Sequence, residues 1–175
     1  MFIIESDFIY KDYRCITIFT SLGYRCGYVG VPKGNYLYGK HCLDTLPISI
    51  SELENEEVGK RGIIPLMCQY FSDEDNANVK VDLYFNVHGG ITFTGDEHPV
   101  ECELWWLGFD CGHYNDGKDY DKLEQLWGDN KGIQYIINNE KAHQIFDSYQ
   151  IRELDYVQQE CRNLVDQIIE LEEKL

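Results

Sequence analysis

The hydrophobic period of this chain changes once, and that change constrains the fold more than any other feature. Before it, apolar residues alternate or run in β-branched and aromatic blocks: Tyr13 to Phe19, Tyr24 to Val31, Lys80 to Val87, Ile91 to Thr94 and Cys102 to Phe109. After Ser148, Leu154, Val157, Cys161, Leu164, Val165, Ile168 and Leu171 recur at spacings of three and four. Alternation suits a strand with one buried face, whereas a three-four spacing lays an apolar stripe along a helix. Strands first and one closing helix of about 20 residues define an α+β chain, a mixed or antiparallel sheet with the long C-terminal helix packed on it. The stripe also spans roughly three heptads, so a coiled-coil pair is the competing use of it.

Tyr13 to Phe19 and Tyr24 to Val31 flank Thr20-Ser21-Leu22-Gly23, which reads as a hairpin. Arg14 and Arg25 alternate with Ile16 and Gly27, so each is expected to leave the apolar face. Lys80 to Val87 sets Val81, Leu83, Phe85 and Val87 against Lys80, Asp82 and Asn86, the cleanest half-buried strand in the chain. Cys102 to Phe109 becomes apolar on both faces and reads as central, with Trp105 and Trp106 pointing to opposite sides. Pro32 to His41 is a loop by its Gly, Pro and Asn content. Residues 52–57 form an acidic surface segment and 72–78 an acidic turn. No repeat or linker interrupts residues 1–175, which fit one domain, since a single core of roughly 100–200 residues is the usual unit.

A hydrophobic content of 43% and an aromatic content of 14% exclude a disordered chain. The seven cysteines are an odd number with no CxxC pair, a usage that suits reduced, buried thiols in a cytosol rather than a disulfide framework or a zinc finger. Met1-Phe2-Ile3-Ile4 runs straight into Glu5 and Asp7 without a basic leader, and no apolar run approaches the roughly 20 residues that span a bilayer. A cytoplasmic protein, monomer or dimer, with no membrane partner is the expectation.

The net charge of −16 is uneven. Residues 8–43 carry Lys11, Arg14, Arg25, Lys33 and Lys40 against Asp12 alone, whereas residues 96–121 carry eight acids against Lys118. Phosphate backbones are bound by Lys and Arg displacing counterions, so unaided nucleic-acid binding is excluded as an expectation. A basic protein partner is favoured instead.

Candidate chemistry gathers where apolar runs stop. Asp110, His113 and Asp116 follow a strand at intervals of three, and His88 opens the His88-Gly89-Gly90 turn. Converging, they would make a His/carboxylate cluster able to bind a divalent metal or to carry acid–base catalysis, with the aspartates orienting the imidazoles. The same residues could equally cap turns. Gly89 and Gly90 either let backbone N–H groups approach an anion or simply make a tight turn. Arg25, Lys33, Tyr38 and Lys40 form a positive, aromatic-bearing segment that would grip phosphate and stack a base, or else pair internally with the acidic region. No P-loop, Rossmann glycine pattern or Ser-His-Asp arrangement is present.

Taken in order, Tyr24-Arg25-Cys26-Gly27-Tyr28-Val29-Gly30-Val31-Pro32-Lys33-Gly34, Leu37-Tyr38-Gly39-Lys40, Val87-His88-Gly89-Gly90-Ile91-Thr92-Phe93, Trp105 to His113 and Tyr156 to Cys161 resemble a family of small phage and prophage proteins of Gram-positive bacteria. The resemblance implies recurrent polar positions at Arg25, His88, Asp110, His113 and Asp116. Small acidic proteins in that setting resemble counter-defence factors of anti-CRISPR type, which implies an acidic inhibitor docking on a basic host effector such as a guide-RNA-loaded nuclease. In that reading the cleft adds phosphodiester processing: His88 and His113 carry protons, Asp110 and Asp116 orient them or hold a metal, and Arg25 neutralises phosphate. The competing functions are a stand-alone nucleotide hydrolase or phosphodiesterase and a non-catalytic nucleotide sponge built on Arg25 and Tyr38.

Overall fold

Lys11 and Asp12 adopt left-handed backbone angles, φ 46° and 70°, and their two-residue turn joins β1 (Phe2–Tyr10) to β2 (Tyr13–Thr20). The computed structural model describes residues 1–49, 78–144 and 149–175. β2 turns through Thr20-Ser21-Leu22-Gly23 into β3 (Arg25–Val31), the expected hairpin, with Gly23 at φ 91°. A short antiparallel pair follows, β4 (Thr45–Ser49) with β5 (Asn78–Lys80), and then a single helical turn, α1 (Val81–Tyr84). β6 (Phe93–Gly95) and β7 (Trp105–Asp110) complete a five-stranded antiparallel sheet in the order β1-β2-β3-β7-β6. β7 lies between β3 and β6, one strand in from the edge, and its middle residues Trp106 to Phe109 are buried, as its apolar composition requires.

Beyond β7 come β8 (Asp116–Gly117), α2 (Tyr120–Trp127), α3 (Lys131–Gln144), β9 (Gln150–Ile151) and α4 (Leu154–Lys174). The apolar stripe of α4 lies on the sheet: Val157, Cys161, Leu164, Val165, Ile168 and Leu171 are all fully buried, against Cys15, Val29, Leu107 and Phe109. The stripe is therefore used within the chain. Gly27 permits the close approach, since a Cβ there would lie 2.4 Å from the Phe109 ring and 2.8 Å from Cys161 Sγ. Trp106 enters the opposite face with Ile16, Ile18 and Tyr28, covered by Val100, Cys102 and Leu104, while Trp105 packs on the α4 side. The six cysteines among the described residues are free thiols, and no described helix is long and apolar enough to cross a membrane.

Two expectations change. Lys80 to Val87 is not one strand: β5 ends at Lys80 and α1 buries Val81 and Tyr84, three apart, before Phe85 and Val87 tuck in from the following loop. Arg25 does not leave the apolar face; its side chain is 4% exposed. The bulge in β1 explains this, because pairing skips from Ile4 to Ser6 and the extra residue is Glu5. Bulges re-aim side chains, and Glu5 meets Arg25 Nε at 2.7 Å with its own carboxylate also 4% exposed. Residues 52–57 and 72–77 lie outside the described residues.

Candidate functional site

The sheet delivers the site from the C-terminal end of β7. Cys111 donates its N–H to Arg25 O at 2.9 Å, one more rung on β3, and the chain then turns sharply. Asp110 caps that turn through Gly112 N at 3.0 Å, and Asp116 N returns to His113 O at 3.0 Å. β8 then runs parallel to β9 with Asp116 opposite Gln150, which sets Arg152 beside Asp116. From the other side, Gly89 and Gly90 turn the backbone at φ 69° and 81° and place His88 against the first turns of α4.

These segments meet on one carboxylate. Asp116 Oδ2 accepts from His88 Nε2 at 2.7 Å and from the His113 amide at 3.0 Å, while Oδ1 accepts from Arg152 Nε at 2.8 Å. The His113 ring stands 3.7 Å from Asp116 and 3.8 Å from Asp110 through Nδ1, beyond hydrogen-bond range but close enough for ion pairing. His88 is fixed at three points: Nε2 on Asp116, Nδ1 on the Tyr156 hydroxyl at 3.0 Å, and its backbone N–H on Glu160 Oε2 at 2.8 Å. The two imidazole centroids are 5.5 Å apart. Exposure grades outward, with the Asp116 side chain 3% exposed, His88 12% and His113 40%.

Burial alone would push the Asp116 carboxyl up, but the hydrogen bonds from Arg152, His88 and the His113 amide outweigh it and hold the group below the ordinary carboxylate range. Asp116 is therefore a fixed anion at neutral pH. Burial, reinforced by the Glu160 charge, raises the Tyr156 phenol, so Tyr156 stays protonated. His88, His113 and Asp116 each offer one donor atom, a ring nitrogen or a carboxylate oxygen, within 4.8 Å of the others, a set that could hold a metal ion.

His113 and Asp116 form one wall of an open cleft of about 390 Å³, and Tyr24, Tyr114, Tyr120 and Tyr149 line much of the rest. That volume falls in the range of small-ligand sites. Among the described residues, Arg152 and Lys118 are the cations that border the site, and both are engaged, Arg152 on Asp116 and Lys118 on Glu140. The described carboxylates Asp110, Asp116, Glu140 and Glu160 lie around the cleft and its wall, so the described surroundings are acidic.

The structure thus brings together His88, His113, Asp116 and, at the rim, Asp110. Gly89 belongs with them, because a Cβ there would fall 1.9 Å from the His113 ring; its missing side chain seats that imidazole. The Gly90 N–H is given to Val87 O at 2.9 Å, which makes it a turn residue. Arg25 is apart from the cleft, held by Glu5 at 2.7 Å, Asp119 at 3.5 Å and Arg152 O at 3.0 Å. Lys33, Tyr38 and Lys40 belong to the far end of β7: Trp105 Nε1 donates to Lys40 O at 2.8 Å, Tyr38 packs near the Trp105 ring, and Lys33 reaches exposed Glu103. Five residues of strand separate Trp105 from Asp110, about 17 Å at the usual rise.

Sequence reasoning missed Arg152, Tyr156 and Glu160. The signal was slight: Tyr156 and Glu160 sit four apart, on one face of a helix start, beside the apolar Val157 and Cys161. Comparison with protein-family models, with curated proteins and with solved structures found no match.

Proposed function

We propose that this chain is a counter-defence protein of a phage or other mobile element, and that its cleft hydrolyses a phosphodiester in a nucleotide. The observation that carries this reading is a buried carboxylate with one imidazole hydrogen-bonded to it and a second, exposed imidazole 3.7 Å away, at the wall of a tyrosine-lined cleft. Tyrosine faces stack nucleobases. His113, the exposed imidazole, meets the substrate, while His88, with both ring nitrogens engaged, holds Asp116 in place. In hydrolysis a water oxygen bonds to phosphorus, His113 takes the water's proton, and the P–O bond to the leaving oxygen breaks as solvent protonates it. A panel of linear and cyclic dinucleotides tests this. Turnover by the wild-type chain that falls roughly 10²–10⁴-fold in His113→Ala, with an unchanged circular dichroism spectrum, supports it. No turnover of any phosphodiester, or equal turnover by the variant, defeats it.

One observation favours a second use of the same protein, docking on a basic host effector such as a guide-RNA-loaded nuclease. The acidic stretch divides in the fold: Asp110, Asp116 and Asp119 turn into the ionic network, whereas Asp96, Glu97, Glu101 and Glu103 are exposed on the segment covering the face opposite α4. Docking and hydrolysis therefore occupy separate surfaces. Reversing those four charges abolishes inhibition of the effector and leaves dinucleotide turnover intact if both uses hold; inhibition that survives removes the docking reading.

A further inference from the structure

The cleft has a charge problem that the phosphodiester reading must solve. A phosphate approaching His113 meets Asp110 and Asp116, and the nearby cations Arg152 and Lys118 are already spent on carboxylates. Arg25, the cation that sequence alone offered for this role, is buried elsewhere. Among the described residues no free cation faces the phosphate, and a positive ion between the imidazoles and the carboxylate would supply one.

We infer that His88 Nε2, His113 Nδ1 and Asp116 Oδ2 form a three-ligand site for a divalent transition metal, with its open position toward the cleft. The inference rests on the phosphodiester reading for what the ion acts on, though not for its binding; in the ion-loaded site the His113 lone pair would be held by the metal, and lowering of the water's pKa by the ion would replace proton uptake by His113. Metal–nitrogen and metal–oxygen bonds of about 2.0–2.2 Å place neighbouring ligand atoms roughly 3–3.5 Å apart. The observed separations, 2.7 Å from Asp116 Oδ2 to His88 Nε2 and 3.7 Å to His113 Nδ1, bracket that value, and the cluster offers one donor atom from each residue within 4.8 Å of the others. Modest side-chain shifts would admit an ion.

The outer shell is already built for ligation. Metal-bound imidazoles engage their second nitrogen, and ligating carboxylates are themselves hydrogen-bonded. His88 Nδ1 meets Tyr156, its backbone N–H is held by Glu160, and Asp116 Oδ1 takes Arg152, while Oδ2 keeps the His113 amide on one lone pair and offers the ion the one now facing His88 Nε2. Gly89 seats the His113 ring. On binding, the proton on His88 Nε2 moves to Nδ1 by way of solvent; the imidazole stays neutral and then donates to the Tyr156 oxygen. Two imidazoles and one carboxylate suit zinc and its borderline neighbours, and three protein ligands with an open fourth position match catalytic zinc rather than structural zinc.

The test is titration of the metal-free chain with Zn²⁺ by calorimetry and with Co²⁺ by visible absorption, without substrate. The expected result is one ion per chain, weakened at least tenfold in His113→Ala and in His88→Gln, and retained in His41→Ala, whose imidazole lies outside the cluster. His113 is exposed enough that its alanine variant folds, which a thermal melt verifies. No stoichiometric uptake overturns the inference, as does uptake that survives both variants, because that would place the ion elsewhere in the chain. A chain that binds zinc through these residues yet hydrolyses nothing keeps this inference and loses the phosphodiester reading. One that binds no ion and hydrolyses equally well after chelation keeps that reading and loses this inference.

Discussion

The Tyr156 hydroxyl lies 3.0 Å from His88 Nδ1, joining the first turn of α4 to a loop 68 residues earlier in the chain. Asp116 as a carboxylate can only accept, so in neutral His88 the proton sits on Nε2 and Tyr156 donates to Nδ1. Asp116 thereby sets the imidazole's tautomer, and the phenol, which can donate or accept, fixes its orientation in either one. Tyr156→Phe removes that anchor and nothing else of comparable size. Folding should be retained and turnover should fall about tenfold, with zinc affinity reduced roughly 10–100-fold, as for other outer-shell partners. A pH–rate profile displaced from the wild-type curve separates this positioning role from a merely structural one.

Gly89→Ala tests whether the His113 ring must lie where it does. The new Cβ would fall 1.9 Å from His113 Cε1, at a backbone φ of 69°. Left-handed geometry costs a non-glycine residue about 1–2 kcal/mol, and the ring has to leave its seat. Turnover should drop to the level of His113→Ala while the melting temperature falls by only a few degrees. Wild-type turnover in this variant would show that ring placement is immaterial.

Asp116 gives the metal-free protein a defined acid response. Its folded-state pKa is depressed, so its ionic contacts contribute stability that is complete above the ordinary carboxylate value and lost as pH falls through the depressed one. Asp116→Asn should be destabilised by roughly 1–3 kcal/mol at neutral pH, where Arg152 loses its anionic partner. The gap between variant and wild type should narrow below about pH 4. Urea titrations in chelator across that range measure it, and a gap independent of pH would contradict the assignment.

How much of this was readable beforehand follows from which forces leave a trace in sequence. The helix α4 did, because Val157, Cys161, Leu164, Val165, Ile168 and Leu171 all reach the core and their spacing is the helical one. So did the β2–β3 hairpin and the buried β7. Lys80 to Val87 misled because its alternation is accidental: Val81 and Tyr84 are buried by a helical turn, and Phe85 and Val87 by the loop after it. Hydropathy cannot distinguish those cases over eight residues. Arg25 misled for another reason. Its partner Glu5 reaches it across β2 only because β1 carries a bulge, and a bulge has no hydropathy signature. For the site, His88, Asp110, His113 and Asp116 stood out as polar residues ending apolar runs. Arg152, Tyr156 and Glu160 did not, since partners on a helix start look like ordinary surface residues.

The Arg25 cluster yields a stability prediction independent of the cleft. Arg25 and Glu5 side chains are each 4% exposed, and Lys122 also contacts Glu5. Breaking one side of a buried pair typically costs about 3–5 kcal/mol, since the remaining charge is left uncompensated. Glu5→Gln should therefore lower the urea midpoint markedly, whereas Lys33→Ala, at an exposed pair 3.6 Å long, should not. Equal midpoints for the two variants would count against the buried cluster.

The origin of the site's parts has a consequence for how the protein matures. The sheet is complete in sequence at Asp110, and Asp116 follows at once, but the groups that hold His88 and Asp116 arrive only with Arg152, Tyr156 and Glu160. A chain still emerging from the ribosome can pair its strands, since N-terminal parts fold first, yet its His88 ring has no phenol to orient it and its carboxylate no guanidinium. The wall of the cleft is therefore assembled only when α4 docks on a sheet whose strands can already have paired.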